Sequence, residues 1–350
     1  MFQFLEAPNL RHLRMVQVVG IVGGVSSASR ALYSSQPTVT QAIANLEAEI
    51  GTQIFERCAT GTYPTEMGKQ YLLRIDRFFD ILDTAVTRIL ALHRSRLDSK
   101  APQVERLVTG TQLRSLIAIS EPGRVAEIAQ HLSLSPISLF RSARMLERAL
   151  GKPLLNNSLQ GLIPNETGKF LAQEFSRAMR EIELARGEIL HSAGTSGLDI
   201  IVGVLPMAGS QELVGATQRF LTTYPFVKVQ LVSGDYHQLL ADLTTGRIDM
   251  LFGMLRKPAW AKDVSEEILF TDSYCVISRP RHPLCVGEEV TPTDLARFQW
   301  IVPSLGTPRR NRIEAIFNAT QIRPHFYLET SSHRAFLGSL REITTQSNHM

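Results

Sequence analysis

A short run, Ser35-Gln36-Pro37-Thr38-Val39-Thr40-Gln41, gathers hydroxyl and carboxamide side chains. Such groups both donate and accept hydrogen bonds. Presented on one face of a helix lying in a major groove, they can address base edges and phosphates. Val39, Ile43, Leu46 and Ile50, spaced by 4, 3 and 4, make an apolar stripe, which leaves Thr38, Thr40, Gln41 and Asn45 on the polar side. Any solvated helix carries a polar face as well, so on this run alone both readings stand.

Other residue sets with chemical potential are weaker. Cys275, His282 and Cys285 lie close in sequence, but no fourth ligand completes a zinc pattern. With Cys58 they make three cysteines, too few for a disulfide framework and consistent with a reducing compartment; buried or incidental thiols are expected. Gly20-Ile21-Val22-Gly23-Gly24 lacks the G-x-G-x-x-G spacing and follows a helix rather than a strand. There is no G-x-S-x-G elbow, H-E-x-x-H helix or phosphate loop. An enzyme is therefore not expected, and neither is a metal or cofactor. An exported solute-binding protein would explain the C-terminal half and leave the rest without a purpose.

A chain of 350 residues exceeds one compact core and calls for two or three domains. Hydrophobic content of 44% and charged content of 20% are those of a folded globular protein. Net charge is +4 with no basic half: residues 1–100 carry 11 Lys+Arg against 9 Asp+Glu, and residues 101–200 carry 11 against 10. Charge thus permits a nucleic-acid partner without arguing for one. The apolar run Val16–Val25 is broken by glycines and falls short of the ~20 residues of a membrane span. No signal-peptide pattern precedes it, so the cytoplasm is expected and no membrane partner is.

The elements that would position the polar run come in duplicate. Residue k matches residue k+100 over a long ungapped stretch: Arg14 with Arg114, Gly23 with Gly123, Ser35 with Ser135, Glu47 with Glu147, Gly51 with Gly151, Pro64 with Pro164, Gly68 with Gly168. In the first copy Leu10, Leu13, Val16 and Val18 give one helix an apolar face, and Gly23-Gly24 end it. Ser26–Leu32 form a second short helix whose Ala28 and Ser29 let a neighbour approach closely. A third begins at Gln36-Pro37, with proline tolerated in its first turn, and Gly51 ends it. Two helices across a short turn, the second amphipathic, make a helix-turn-helix.

The set Ser35–Thr40, Leu46-Glu47, Gly51, Ile54-Phe55, Arg57 and Thr65-Glu66-Met67-Gly68 closely resembles the signature of LysR-type transcriptional regulators. The resemblance implies a winged helix-turn-helix with DNA contacts from Ser35, Gln36, Pro37, Thr38, Thr40 and Gln41, and Arg57 near the backbone. The second copy keeps the frame but alters the face. Pro136 and Ile137 replace Gln36 and Pro37, Phe140 replaces Thr40, and Asn157 replaces Arg57, while Ser138, Arg141 and Arg144 offer other contacts. It is either a second DNA reader of different preference or a degenerate copy serving assembly or protein contact. A fold-retaining module with weaker or different DNA contact is expected.

After each copy comes a heptad-like seam: Leu72, Ile75, Phe79, Leu82, Val86, Ile89, then Leu171, Phe175, Ala178, Ile182, Ala185, Ile189. Each is a pairing helix or an amphipathic helix packed on its own domain. By the resemblance it mediates dimers, and a homodimer or homotetramer on double-stranded DNA is expected. The duplication, not the resemblance, adds that a dimer with two readers per chain could carry four reading units.

Beyond a linker at 192–197, strand and helix runs alternate, which argues for a parallel α/β sheet. Tyr224-Pro225, Gly246-Arg247-Ile248-Asp249 and Arg279-Pro280-Arg281-His282-Pro283 resemble the LysR effector domain, a periplasmic-binding-protein-like fold. That resemblance implies a small-molecule cleft lined by Pro206, Met207 and Ser210, by Ser304 and Thr307, and by Ser331; Arg256 or Arg309 could pair an anionic effector. The family domain normally continues for several dozen residues past Leu340, so this one is expected to lack the elements that close its first lobe.

The expected fold is thus multidomain: two all-α winged helix-turn-helix modules with long linker helices, then an α/β effector domain. The boundaries are 8–66 (reader), 67–98 (linker helix), 107–166 (second module), 167–191 (second linker helix) and 198–340 (effector domain).

Overall fold

A computed structural model describes residues 9–58, 61–91, 104–121, 123, 125–158, 161–192, 198–205, 209–256, 264–285, 289–330, 332, 335–336 and 338–339. The first stretch runs α1 (Leu10–Val22), α2 (Val25–Ala31), α3 (Gln36–Ile50), β1 (Phe55–Cys58), β2 (Gly61–Pro64) and the long α4 (Glu66–Ala91). After the single turn α5 (Val104–Leu107), the same order recurs as α6 (Gly110–Ile119), α7 (Val125–His131), α8 (Pro136–Leu150), β3 (Leu155–Ser158), β4 (Gly161–Pro164) and α9 (Glu166–Ser192).

Matched positions take matched backbone. Gly23 and Gly123, and again Gly51 and Gly151, have left-handed φ of +72, +73, +73 and +62°, where glycine is least strained. Tyr33 and Ser133, at φ 52 and 53°, put a non-glycine residue into that region at the same point of each turn. Each third helix is capped by a serine: Ser35 Oγ accepts from the Thr38 amide and Ser135 Oγ from the Ser138 amide. β1 and β2 pair antiparallel, Phe55 opposite Pro64, and β3 and β4 do likewise, Leu155 opposite Pro164. The modules are therefore not purely helical as expected; each carries a two-stranded hairpin too short to show a strand period.

The buried side chains of 10–192 join into one apolar core that runs through both sets of short helices and both long ones. On α1 the buried face continues through Val19, not Val18, because a step of two from Val16 turns well away from the face while a step of three keeps to it. Arg14 of α1 ties three helices together. It lies over the Phe79 ring, 3.6 Å from its centre, donates to Asp83 of α4 at 2.8 Å and to Glu105 of α5 at 3.1 Å. Burial pushes the Asp83 carboxyl above its usual range despite this guanidinium.

The two long helices pack against each other within the chain. Phe78, Phe79, Leu82, Phe175 and Ile182 are at most 2% exposed. The seams read from the sequence are buried on both helices, each against the other helix of the same chain.

Downstream come β5 (Leu198–Val204), α10 (Ser210–Thr223), β6 (Val227–Ser233), α11 (Tyr236–Thr244) and β7 (Met250–Phe252). β6, β5 and β7 form a three-stranded sheet in that order, β5 parallel to β7 with Val202 opposite Met250. Residues 264–278 form neither helix nor strand, and Ile268, Leu269, Phe270, Tyr274, Val276 and Ile277 stand exposed. Then follow α12 (Pro292–Ala296), β8 (Gln299–Val302), α13 (Pro308–Ala319) and β9 (His325–Glu329), with β8 parallel to β9. The chain forms two compact units: described residues up to Ile201 with 217–230 and 241–249, and described residues of 202–216, 231–240 and 250 onward. No described helix is long and apolar enough to cross a membrane. Cys58, Cys275 and Cys285 are free and exposed, not buried.

Candidate nucleic-acid interface

α3 is amphipathic in the sense its sequence requires. Val39, Ala42, Ile43 and Leu46 face the core, while Ser35, Gln36, Pro37, Thr38 and Gln41 are exposed and Thr40 is half-buried. Proline falls where its missing amide costs nothing, in the first turn. The exposed groups are already ordered among themselves. Ser35 Oγ and Thr38 Oγ1 lie 2.7 Å apart, Gln36 Nε2 donates to Ser26 Oγ at 2.9 Å, and Gln41 Nε2 donates to Asn45 Oδ1 at 2.7 Å. The Gln36 bond fixes α3 against α2. The Gln41 bond orients its amide while leaving its oxygen free to accept.

The hairpin beside α3 is held by part-buried hydrogen bonds to its backbone. Glu47 Oε1 accepts from the Ile54 amide at 2.8 Å and the Phe55 amide at 3.1 Å. Thr65 Oγ1 donates to the Gln53 carbonyl at 2.8 Å and accepts from the Gly68 amide at 2.9 Å. A Cβ on Gly68 would overlap the Ile54 carbonyl, so only glycine lets α4 start this close to the hairpin. The Thr62 amide reaches the Gly23 carbonyl at 3.2 Å and ties the hairpin to the end of α1. Arg57 stands in β1 opposite Thr62; its side chain lies outside the described residues.

In the second stretch Glu147 Oε1 accepts from the Leu154 and Leu155 amides at 2.7 and 2.9 Å, and Asn165 takes the place of Thr65. Ser138 and Arg141 are exposed on α8. Arg144 donates to Glu147 at 2.8 Å, which gives it a structural task at its own helix. Ile137 is 78% exposed, a large apolar group where α3 has Pro37.

Sequence reasoning quoted Glu47 and Thr65 only as repeat or motif matches; their roles appear once the hairpin amides are counted. It passed over Tyr33, 92% exposed at the turn entering α3. The signal available there was an aromatic residue two positions before the capping Ser35.

Of the expected effector contacts, Pro206, Met207 and Ser331 lie outside the described residues, as does the side chain of Ser210, the first residue of α10. Ser304 and Thr307 come together before α13: Thr307 Oγ1 donates to the Ser304 carbonyl at 2.8 Å and caps α13 by accepting from the Arg310 amide. Arg310 is buried and bound to Glu314, Glu329 and the Pro303 carbonyl, a bracing role for β8 and β9. Arg256 stacks on Tyr236, 4.2 Å from the ring centre.

Comparison with known proteins bears on both parts. Residues 10–69 match the family described as bacterial regulatory helix-turn-helix protein, lysR family, and residues 195–342 match the LysR substrate binding domain. The HTH-type transcriptional regulator GalR of Pseudomonas putida is 28% identical over 336 residues, 96% of this chain and 82% of that one. The regulator GbpR of Rhizobium radiobacter is 24% identical over 209 residues, 59% of this chain and 69% of its own. Among solved structures, HinK, a LysR family transcriptional regulator from Pseudomonas aeruginosa, is 20% identical, with 66% of this chain and 76% of that chain covered, at a TM-score of 0.35. With its helix-turn-helix at the N-terminal end and its substrate-binding domain at the other, the chain belongs to the LysR family: it is a DNA-binding transcriptional regulator and not an enzyme.

Proposed function

We propose that this regulator reads operator DNA with α3 in the major groove, through Ser35, Gln36, Pro37, Thr38, Thr40 and Gln41, with Arg57 near the phosphate backbone. The observation that carries the reading is the exposed, pre-ordered polar face of α3 beside a hairpin anchored by Glu47. Residues 107–166 are a second winged helix-turn-helix. The recurrence of element order, left-handed turn residues and serine cap supports this, as does an alignment to GalR long enough to run through them. Its DNA contacts are Ser138 and Arg141, with Arg144 divided between DNA and Glu147.

The α/β region senses a small molecule through the loop at Pro206, Met207 and Ser210, through Ser304 and Thr307, and through Ser331. The start of α13 supports an effector with an anionic group, since a helix N-terminus favours negative charge. The protein works in the cytoplasm as a homodimer or homotetramer.

The test is a gel-shift titration of the full chain against a promoter pool at several salt concentrations. Specific complexes with a steep salt slope are expected. Thr40→Ala with Gln41→Ala should weaken specific binding on the order of tenfold or more while leaving the thermal melt unchanged. Affinity no better than for random duplex would end the reading.

A further inference from the structure

α4 and α9 run antiparallel in one chain: Arg74 reaches Glu181 at 2.8 Å and also pairs with Glu188, and Arg88 lies over the Phe170 ring. With 100 taken from the α9 numbers, Arg74 faces positions 81 and 88 while Arg88 faces position 70. The pairing reads the same from either helix to within a turn, which is the property of a twofold axis crossing the pair near Phe79 and Met179. Both of those side chains are buried. On these two helices the large apolar side chains left exposed among the described residues are Leu73 and Leu190. The seam is filled from within.

Resting on the reading of 107–166 as a second DNA-contacting module, we infer that a single chain addresses two half-sites of unlike sequence, α3 taking one and α8 the other. Two identical readers on a twofold axis call for a palindrome. Here the axis relates unlike faces. α3 offers the uncharged Pro37, Gln41 and Asn45; α8 offers Ile137, Arg141 and Met145 at the corresponding exposed positions. A carboxamide suits adenine, a guanidinium suits guanine O6 and N7, and an exposed aliphatic group suits the thymine methyl. The α8 half-site is therefore richer in guanine, and the operator is asymmetric. Because the second contact is intramolecular, occupancy of both halves does not wait on association of two chains.

The experiment uses the full chain and duplexes that it selects from a randomised pool, with the mass of each complex measured alongside its footprint. Two protected half-sites per chain are expected, whatever the number of chains in the complex; one per chain overturns the inference. Gln41→Ala should lower protection of one half on the order of tenfold and Arg141→Ala that of the other, both with unchanged melts. Loss of both halves with Gln41→Ala and of neither with Arg141→Ala would also overturn it, leaving the α3 reading intact. If no duplex is bound specifically, the DNA-reading proposal itself falls, and this one with it.

Discussion

Glu47 shows how a residue that need not touch DNA can decide whether DNA is read. Its carboxylate takes the amides of Ile54 and Phe55 at the start of the hairpin. An amide left unsatisfied in a part-buried site costs about 1–3 kcal/mol, and bonds to an ionised acceptor sit at the upper end. Glu47→Ala should therefore lower stability by about 2–3 kcal/mol, read as a fall in urea midpoint, and weaken specific DNA binding because the hairpin loses its anchor. A midpoint unchanged within error would mean that the two amides find other partners. The Glu147 carboxylate does the same at Leu154 and Leu155, with Arg144 bound to its second oxygen. A match across the repeat flagged this pair of glutamates, but the reason for it was hidden. Nothing in residue type says that a helix carboxylate will bend back onto amides seven and eight positions later. Gly68 was equally opaque: a residue with no side chain is needed because of where the Ile54 carbonyl ends up. Ser35, by contrast, was legible, since a capping serine before proline depends only on neighbours along the chain.

At the scale of elements, periodicity carried nearly everything within 10–192. The stripes Val39–Ile50 and Leu72–Ile89 name their own buried faces, because a 3.6-residue turn leaves few alternatives. What periodicity cannot say is which surface a stripe meets. A seam of Leu, Ile and Phe fits another chain or the same chain equally well, and here the mate lies about a hundred residues away. The polar flank of that seam makes a prediction. Glu183 of α9 donates no charge to solvent freely: burial raises its pKa above the ordinary 4.5, and Arg180 at 3.2 Å only partly offsets that. A carboxyl with a raised folded-state pKa favours the native state below the unfolded value, and that contribution is lost as pH climbs through the folded value. Glu183→Gln does not titrate. Its stability relative to the parent should thus rise as pH climbs upward from the ordinary carboxylate range, measured as the difference in Tm at each pH. A difference that stays flat, or falls with pH, would refute the assignment.

At the scale of the molecule, the boundary between the helical part and the α/β part is bridged by ion pairs. The sequence suggests a break at the Ser/Gly-rich stretch before Leu198, yet Arg180 of α9 bonds to residues beyond it. Arg180 donates to both oxygens of Asp249 at 2.8 Å and to the Asp199 carbonyl at 3.0 Å, and Asp249 accepts from the Ile201 amide at 2.8 Å. Arg247 pairs with Glu121, at the end of α6, and with Asp242. The fragment Gly246-Arg247-Ile248-Asp249, noticed first as a family resemblance, is thus where the beginning of the sheet is fastened to residues 121 and 180. Side chains in these pairs are at most 29% exposed, so solvent screens them only in part. Asp249→Ala leaves the Arg180 guanidinium short of its acceptor and the Ile201 amide without one, at a cost of about 2 kcal/mol. Because only the local fastening is removed, the loss should appear as faster hydrogen exchange at Ile201 and along the C-terminal half of α9, with α1–α3 unchanged. Exchange that quickens equally throughout would mean that the contact supports global stability instead. Exchange unchanged at Ile201 would mean that the linker before Leu198, and not this cluster, sets how firmly the sheet is joined to the helices.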